Sequence, residues 1–305
     1  MGVSMYIFED IKEFSTFKTI DEIAEGWSTD KKYYIETKDA KKLLLRTADI
    51  KLESQKKLEF DRIKAISGLS FEMARPISFG ICNGGESVYM LLTWVDGLPL
   101  DTQLKKMLPA DQYSIGIMAG KMLREIHEIP VKDHHVPTKE ERMNHKLNKL
   151  KQYETSYVRM GDEEDTLRYV KDNLHKIYNT KPVYKHGDFH SGNLIWTPEG
   201  SIGLIDFNRI DCGDRYEDFR HIQLMDAERS VPFATGVIDG YFDAKVPDEF
   251  WEVLSIYVAQ TAMTAINWAE RYGFEEIEIM REKYHKAYRD YDGFKNTIPK
   301  WYESL

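Results

Sequence analysis

The sequence predicts an α+β protein with a small, antiparallel-sheet N-terminal lobe over residues 1–95 and a larger, mainly helical C-terminal lobe over 96–305. Three observations predict this class. The 305 residues are enough for two domains. Short runs rich in β-branched and aromatic residues dominate the first ninety-odd residues. An apolar stripe with helical spacing then begins at Ile115, and mainly helical patterns continue from there.

Turn residues divide the N-terminal part into strands. Asp39-Ala40 marks one turn, and Asn83-Gly84-Gly85 marks another that is typical of hairpins. Residues 52–66 place apolar side chains among charges with helical spacing, which predicts a helix between the two hairpins. The predicted strands are 33–37, 42–47, 77–81 and 87–95.

The C-terminal part is predicted to be helical with one β-rich interruption at 183–205. The predicted helices include 115–126, 139–153 and 165–178, and the chain is mostly helical from Phe219 onward. The most apolar stretch, 251–269, still contains Glu252, Gln260 and Asn267. It therefore predicts a core helix and no membrane span.

Composition excludes several classes of protein. The net charge is −9, so a basic face for nucleic acid or an anionic membrane is not expected. The two cysteines, Cys82 and Cys212, are too few for a disulfide scaffold. Acidic residues near the N-terminus argue against a secretory signal. We therefore expect a cytoplasmic protein with no obligate protein partner evident.

The most informative chemistry lies between residues 186 and 207. Asp188 and Asn193 are five residues apart, in a segment that its glycines keep from being helical. A turn at 197–200 can fold the following strands into a hairpin and bring Asn193 and Asp206 together. Their oxygens are ligands that Mg²⁺ prefers, and Asp188 could take a proton from an acceptor hydroxyl. This combination predicts phosphoryl transfer.

These segments resemble the aminoglycoside phosphotransferase/choline kinase family, which shares the protein-kinase-like fold. His186–Trp196 is similar to its H-G-D-x-x-x-x-N catalytic loop, and Leu204–Phe207 to its metal-binding loop. Gly213–Phe219 resembles a third motif, with Arg215 in place of the usual proline. Weaker matches are the nucleotide loop at 26–30 and the hinge between the lobes at 91–97.

The resemblance implies a role for each matching residue. Asp188 would be the catalytic base, while Asn193 and Asp206 would hold Mg²⁺ on the phosphates of ATP (or GTP). Glu59 would pair with a cation on the third strand. There Arg46 replaces the usual lysine, and an arginine can still contact phosphate oxygens.

The resemblance also implies contacts around the nucleotide and the catalytic loop. Ser28 would contact a phosphate, and the backbone of Thr93 and Val95 would bind the adenine. Lys42 competes with Arg46 as the third-strand cation, although it lies four residues upstream. Structural support of the catalytic loop is expected from His186, Asp214 and Asp218.

Charge gives the only indication of the acceptor. Residues 211–305 contain 11 Lys and Arg against 19 Asp and Glu, which favours a cationic small molecule. An aminoglycoside-like antibiotic is the leading class. The alternatives are choline or ethanolamine, homoserine, a sugar, or a catalytically weak nucleotide-binding regulator. Candidate acceptor-binding residues are Glu217, Asp226, Glu270 and Glu275.

Overall fold

The computed structural model describes residues 5–24, 29–133 and 136–302. The strands are β1 (Phe17–Ile23), β2 (Lys31–Thr37), β3 (Lys42–Asp49), β4 (Glu72–Met73), β5 (Pro76–Cys82), β6 (Ser87–Thr93), β7 (Leu98–Pro99), β8 (Val183–Lys185), β9 (Leu194–Trp196), β10 (Ile202–Leu204) and β11 (Asp211–Gly213). The α-helices are α1 (Glu53–Ile66), α2 (Leu100–Leu104), α3 (Pro109–Glu128), α4 (Lys139–Thr155), α5 (Glu164–Asn173), α6 (Ala227–Arg229), α7 (Val231–Phe242), α8 (Asp248–Ala269) and α9 (Phe274–Asp290).

The chain divides into two compact units. The first comprises residues 1–98 and 194–210, and the second comprises 99–193 and 211–305. The expected division into 1–95 and 96–305 differs from this at residues 96–98 and in the placement of 194–210. The reason is strand pairing, because β10 lies parallel to β4, and β4 belongs to the N-terminal part of the chain.

In the first unit, β1, β2, β3, β6 and β5 form one antiparallel sheet in that order. Tyr33, Leu45 and Leu91 point to one face and are buried in an apolar core. Because side chains alternate along a strand, the intervening residues lie on the opposite face. Lys32 and Arg46 are directly opposed across β2 and β3, so they share that second face. The predicted pairs of strands on either side of α1 are confirmed.

Helix α1 contacts β5 and β6 of this sheet. Lys56, Glu59, Ile63 and Ile66 recur at spacings of three and four, and all four are buried. One side of the helix is thus apolar near its C-terminus and charged near its N-terminus. The charged end places Glu59 beside the second face of the sheet.

The hairpin predicted around residues 197–200 is confirmed. β9 and β10 are antiparallel, with Leu194 opposite Leu204. The Gly200 N–H donates to the Thr197 carbonyl at 3.1 Å. Gly200 has φ of 76°, a conformation that costs glycine little and other residues more.

In the second unit, α3 and α7 pack very closely. A Cβ atom on Gly120 would lie 2.1 Å from the Val237 carbonyl oxygen, and one on Gly116 would lie 2.3 Å from that of Phe233. Neither distance can be accommodated without moving backbone. The two glycines therefore permit this helix contact.

The apolar stretch predicted as a core helix corresponds to α8. Leu254, Ile256 and Tyr257 are buried along it. Within residues 5–24, 29–133 and 136–302, no helix has the length and apolar content that crossing a membrane requires. The α+β class, with an N-terminal antiparallel sheet and a mainly helical C-terminal part, is confirmed.

Candidate functional site

The predicted ion pair between Glu59 and Arg46 is present in the first unit. Arg46 Nη1 donates to Glu59 Oε1 at 2.6 Å, and Nη2 donates to Asp30. Lys56 Nζ lies 2.6 Å from Asp30 Oδ2 and 3.1 Å from Glu59 Oε2. Two cations and two carboxylates thus form one buried network, which we call the Arg46 cluster. Such groups tolerate burial only because each is paired.

Asp206 lies close to this cluster. Burial disfavours the charged arginine, yet the carboxylates of Glu59, Asp30 and Asp206 together raise the pKa of Arg46. Asp206 has a left-handed backbone, with φ of 62° and ψ of 58°. This conformation is uncommon for a residue other than glycine and is often found at functional sites.

A lysine that the sequence analysis did not identify contacts Asp206. Lys32 Nζ lies 3.1 Å from Asp206 Oδ2, and the two side chains are 16% and 24% exposed. The register of the hairpin turn at Asp39-Ala40 could have identified Lys32, because it places this residue opposite Arg46. The competing candidate Lys42 instead pairs with Asp96 at the surface.

The hinge residues lie beside the β9–β10 hairpin. The Thr93 N–H donates to the Arg75 carbonyl at 2.8 Å, which leaves the Thr93 carbonyl as the backbone group to consider for adenine. Val95 is buried and occupies the space that a Cβ atom on Gly203 would fill. The adenine contacts stay predictions. Ser28 lies outside the described residues.

In the second unit, the catalytic loop is held by its own hydrogen bonds. The Asp188 N–H donates to His186 Nδ1 at 3.2 Å, and Asn193 Nδ2 donates to the Asp188 carbonyl at 2.8 Å. Since Nδ2 faces the loop backbone, Asn193 Oδ1 points the other way. His221 Nε2 lies 3.3 Å from Asp188 Oδ1, a neighbour that no sequence motif indicated.

The side chains of Asn193 and Asp206 each carry an oxygen of the kind that Mg²⁺ prefers. An amide oxygen and a carboxylate are hard ligands, and Mg²⁺ usually keeps several waters or phosphate oxygens besides them. The orientation of the Asn193 amide satisfies its nitrogen within the loop and leaves the oxygen for a cation. In the described part of the chain, no three His, Cys, Asp or Glu side chains gather as a metal site.

Asp218 anchors the start of the catalytic loop. It accepts hydrogen bonds from the N–H groups of His186 at 2.8 Å and Gly187 at 2.7 Å. His127 Nε2 lies 3.1 Å from the same carboxylate. Burial tends to raise the pKa of Asp218, but the hydrogen bond from His127 and nearby positive charge lower it overall. Asp218 is therefore ionised while it holds the loop.

Asp214 supports the segment that leads into this loop. It accepts from the Tyr178 N–H at 2.9 Å, the Thr180 hydroxyl at 3.1 Å and the Tyr257 hydroxyl at 3.0 Å. His186 is fully buried, and its ring accepts the Asp188 N–H. Asp214, Asp218 and His186 thus contact the backbone in and before this loop, and their supporting role stays a prediction.

The four acceptor candidates occupy two different environments. Glu217 is buried between Lys146, at 2.7 Å, and Lys185, so its charge is neutralised. Asp226 is 2% exposed and accepts the Ser191 N–H at 2.8 Å. Glu270 is exposed directly after the end of α8, and Glu275 is exposed in the first turn of α9. Burial thus separates Glu217 and Asp226 from the exposed Glu270 and Glu275, and acceptor binding by any of the four stays a prediction.

Asp226 gives a testable pH dependence. Burial raises the pKa of Asp226 to about 6. The carboxyl group of Asp226 therefore holds its proton more tightly in the folded protein than in the unfolded chain. Stability should therefore fall as pH rises from about 4 to 6, by on the order of 2–3 kcal/mol. Asp226→Asn keeps an oxygen for the Ser191 N–H but has no proton to lose.

The measurement is urea unfolding of both proteins at several pH values between 4 and 7. The free energy of unfolding of Asp226→Asn, minus that of the wild type, should increase across this range. The other buried carboxylates titrate equally in both proteins and cancel in the difference. Parallel pH profiles would contradict the prediction.

Comparisons with known proteins bear on these arrangements. A sequence model of the phosphotransferase enzyme family matches residues 19–251. An aminoglycoside 3'-phosphotransferase of Salmonella typhimurium is 26% identical over 140 residues, which make up 44% of this chain and 51% of that protein. The chain thus spans about half the length of the curated relatives it matches.

Solved structures resemble the chain over more than nine-tenths of its length. A thermostable aminoglycoside phosphotransferase variant, in a ternary complex with ADP and hygromycin B, has a TM-score of 0.69 at 12% identity, covering 94% of this chain and 98% of that one. A choline kinase from Streptococcus pneumoniae has a TM-score of 0.65 at 14% identity, covering 93% and 96%. At these identities the likeness shows the fold, and it confirms the one that the motifs implied.

Proposed function

Since the chain belongs to the phosphotransferase enzyme family, we propose that it transfers the γ-phosphoryl group of ATP or GTP to a hydroxyl group of a small molecule. The observation that carries this proposal is the catalytic loop from His186 to Asn193. Asp218 fixes its backbone, a contact within the loop orients the Asn193 side chain, and His221 lies beside the Asp188 carboxylate. Phosphoryl transfer depends mainly on such positioning.

Asp188 acts as the base in this proposal. Its carboxylate orients the acceptor hydroxyl and takes the proton as the oxygen attacks the γ-phosphorus. The bond from the γ-phosphorus to the bridging oxygen breaks, and the nucleoside diphosphate leaves with that oxygen. His221, 3.3 Å from Asp188 Oδ1, limits the orientations that the carboxylate can adopt.

Asn193 and Asp206 are proposed to hold Mg²⁺. When bound, this ion neutralises charge on the nucleotide phosphates. The support is the donor chemistry of the two side chains and the orientation of the Asn193 amide. Glu59 keeps Arg46 in place, and the Arg46 cluster fixes α1 against the sheet.

The acceptor is proposed to be a cationic small molecule, with aminoglycoside-like compounds leading. Excess negative charge in residues 211–305 supports this class, and Glu270 and Glu275 are the exposed candidates for contact. The Salmonella typhimurium relative is named as an aminoglycoside phosphotransferase. A choline kinase is among the similar structures, so choline-like amines are the alternative acceptors. A cytoplasmic location stays a prediction.

A second candidate is a nucleotide-binding regulator with little catalysis. The observation that favours it is Arg46, because an arginine replaces the usual lysine and both of its terminal nitrogens already contact carboxylates. Nucleotide binding without phosphate transfer would be the signature of this alternative.

Acceptor-dependent release of ADP or GDP tests the proposal. The purified chain is incubated with Mg²⁺ and either nucleotide against aminoglycosides, choline, ethanolamine, homoserine and sugars. Mass spectrometry then checks each reacting acceptor for a gained phosphate. We expect turnover with at least one cationic acceptor. Nucleotide binding with no phosphorylated product across the panel would favour the regulator.

A further inference from the structure

We propose that Lys32, on the second strand, is the side chain that binds the phosphates of the nucleotide, and that Arg46 is a buried structural strut. This inference rests on the proposed function. It assigns the phosphate contact to a different strand from the one on which the family motif places its cation. Four features of the first unit support the assignment.

The first feature is that the Arg46 cluster is complete without a ligand. The Arg46 side chain is 3% exposed, and its terminal nitrogens contact Glu59 and Asp30. Its Nε is buried and has no hydrogen-bond partner within the described residues, so phosphate oxygens could reach it only after neighbouring atoms moved. Lys56 balances the remaining negative charge. With two cations and two carboxylates, the cluster has no net positive charge to offer.

The second feature is the position of Lys32. It lies directly opposite Arg46 across β2 and β3, on the same face of the sheet. Its Nζ lies 3.1 Å from Oδ2 of Asp206, the proposed metal ligand. A cation at this point can contact phosphate oxygens that also face the metal. The Lys32 side chain is 16% exposed, so it borders solvent whereas Arg46 does not.

The third feature is the flexibility of the lysine side chain, which suits a residue that binds phosphate. A lysine carries one ammonium group on a flexible stem, so it can exchange one anionic partner for another. Lys32 has a carboxylate partner in Asp206, whose oxygens would turn to the metal when Mg²⁺ and a nucleotide bind. Arg46, held at two points, cannot make that exchange without leaving two buried carboxylates poorly paired.

The fourth feature is the placement of the other nearby lysines. Lys42 is four residues from Arg46, or about 13 Å along an extended strand, and it pairs with Asp96. Lys56 is held within the Arg46 cluster. Lys31 is exposed and, as the neighbour of Lys32 along β2, lies on the other face of the sheet. Lys32 thus combines the correct face, proximity to Asp206 and access to solvent.

Calorimetric binding of nucleotide and nucleoside tests this inference. The variants are Lys32→Met, Lys32→Arg and the matched control Lys31→Met, each measured with Mg²⁺-ATP, Mg²⁺-GTP and the corresponding nucleosides. Losing a charged contact to phosphate should raise the Kd of Lys32→Met for the triphosphate by roughly tenfold to hundredfold. The Kd for the nucleoside should change less than about twofold. Lys32→Arg should recover part of the loss, and Lys31→Met should match the wild type.

The outcomes separate the two proposals. If the wild type binds a triphosphate and Lys32→Met binds it equally well, the inference is wrong and the proposed function stands. If Lys32→Met loses nucleoside affinity to the same degree, Lys32 supports the strand and not the phosphates, which also overturns the inference. If the wild type binds neither nucleotide nor nucleoside, the proposed function fails and the inference fails with it. Thermal denaturation of each variant confirms that it is folded.

Discussion

Asp188→Asn should lower the rate of acceptor phosphorylation by about 10²- to 10⁴-fold, the range expected when a general base is lost. Asparagine has nearly the same shape as aspartate but cannot take the proton of the acceptor hydroxyl. The Kd for the nucleotide should stay within a few fold of the wild type, because Asp188 is proposed to act on the acceptor. Steady-state kinetics and nucleotide titration measure the two effects separately.

The contacts of the loop make this variant a clean test. The hydrogen bonds that fix residue 188 use its backbone, from its N–H to His186 and from Asn193 to its carbonyl. The substitution changes neither, so the melting temperature should stay close to that of the wild type. Asp165→Asn, at an exposed position on α5, is the control and should keep full activity. A rate for Asp188→Asn within twofold of the wild type would exclude Asp188 as the base.

Arg46→Met should lower the free energy of unfolding by about 3–5 kcal/mol, the usual cost of breaking a buried ion pair from one side. The substitution leaves Asp30 and Glu59 buried with Lys56 as their remaining cation in the Arg46 cluster. Methionine fills the volume but supplies no charge. Urea unfolding at neutral pH measures the loss. Arg46→Lys should lose less stability than Arg46→Met, because lysine keeps the positive charge but lacks the planar guanidinium whose two terminal nitrogens contact Glu59 and Asp30.

Lys42→Met provides the matched control on the same strand. Lys42 pairs with Asp96, but both side chains are about half exposed, at 45% and 52%. Exposed ion pairs contribute about 0–1 kcal/mol, so this variant should unfold almost like the wild type. A loss below about 1 kcal/mol for Arg46→Met would show that burial of the cluster contributes little, and the distinction between Arg46 and Lys32 would lose its basis.

Periodic patterns predicted most of the elements correctly. Tyr33, Ile35, Leu43 and Leu45 alternate into the core, so β2 and β3 were recognisable from spacing alone. Strand β1 was missed because Phe17, Ile20 and Ile23 recur every third residue, which resembles a helix more than a strand. Pairing with β2 determines its conformation. An edge strand of this kind is specified by its neighbour and not by its own sequence.

The candidate site was predictable where local motifs define it and not where distant residues meet. The catalytic loop and Asp206 follow from short spacings. Lys32 required the register of β2 on β3, and His221 required the path of the chain after β11. Glu217 pairs with Lys146, which lies far away in sequence. A count of charges therefore could not predict that the negative charge of Glu217 is neutralised.

The central claim is that Asn193 and Asp206 hold the metal ion on which phosphoryl transfer depends. A crystal structure with Mg²⁺ and a non-hydrolysable ATP or GTP analogue tests it most directly. We expect Asn193 Oδ1 and an Asp206 carboxylate oxygen to coordinate one ion at about 2.0–2.1 Å, together with phosphate oxygens. A bound nucleotide whose metal ion is coordinated by other residues, and by neither Asn193 nor Asp206, would contradict the account.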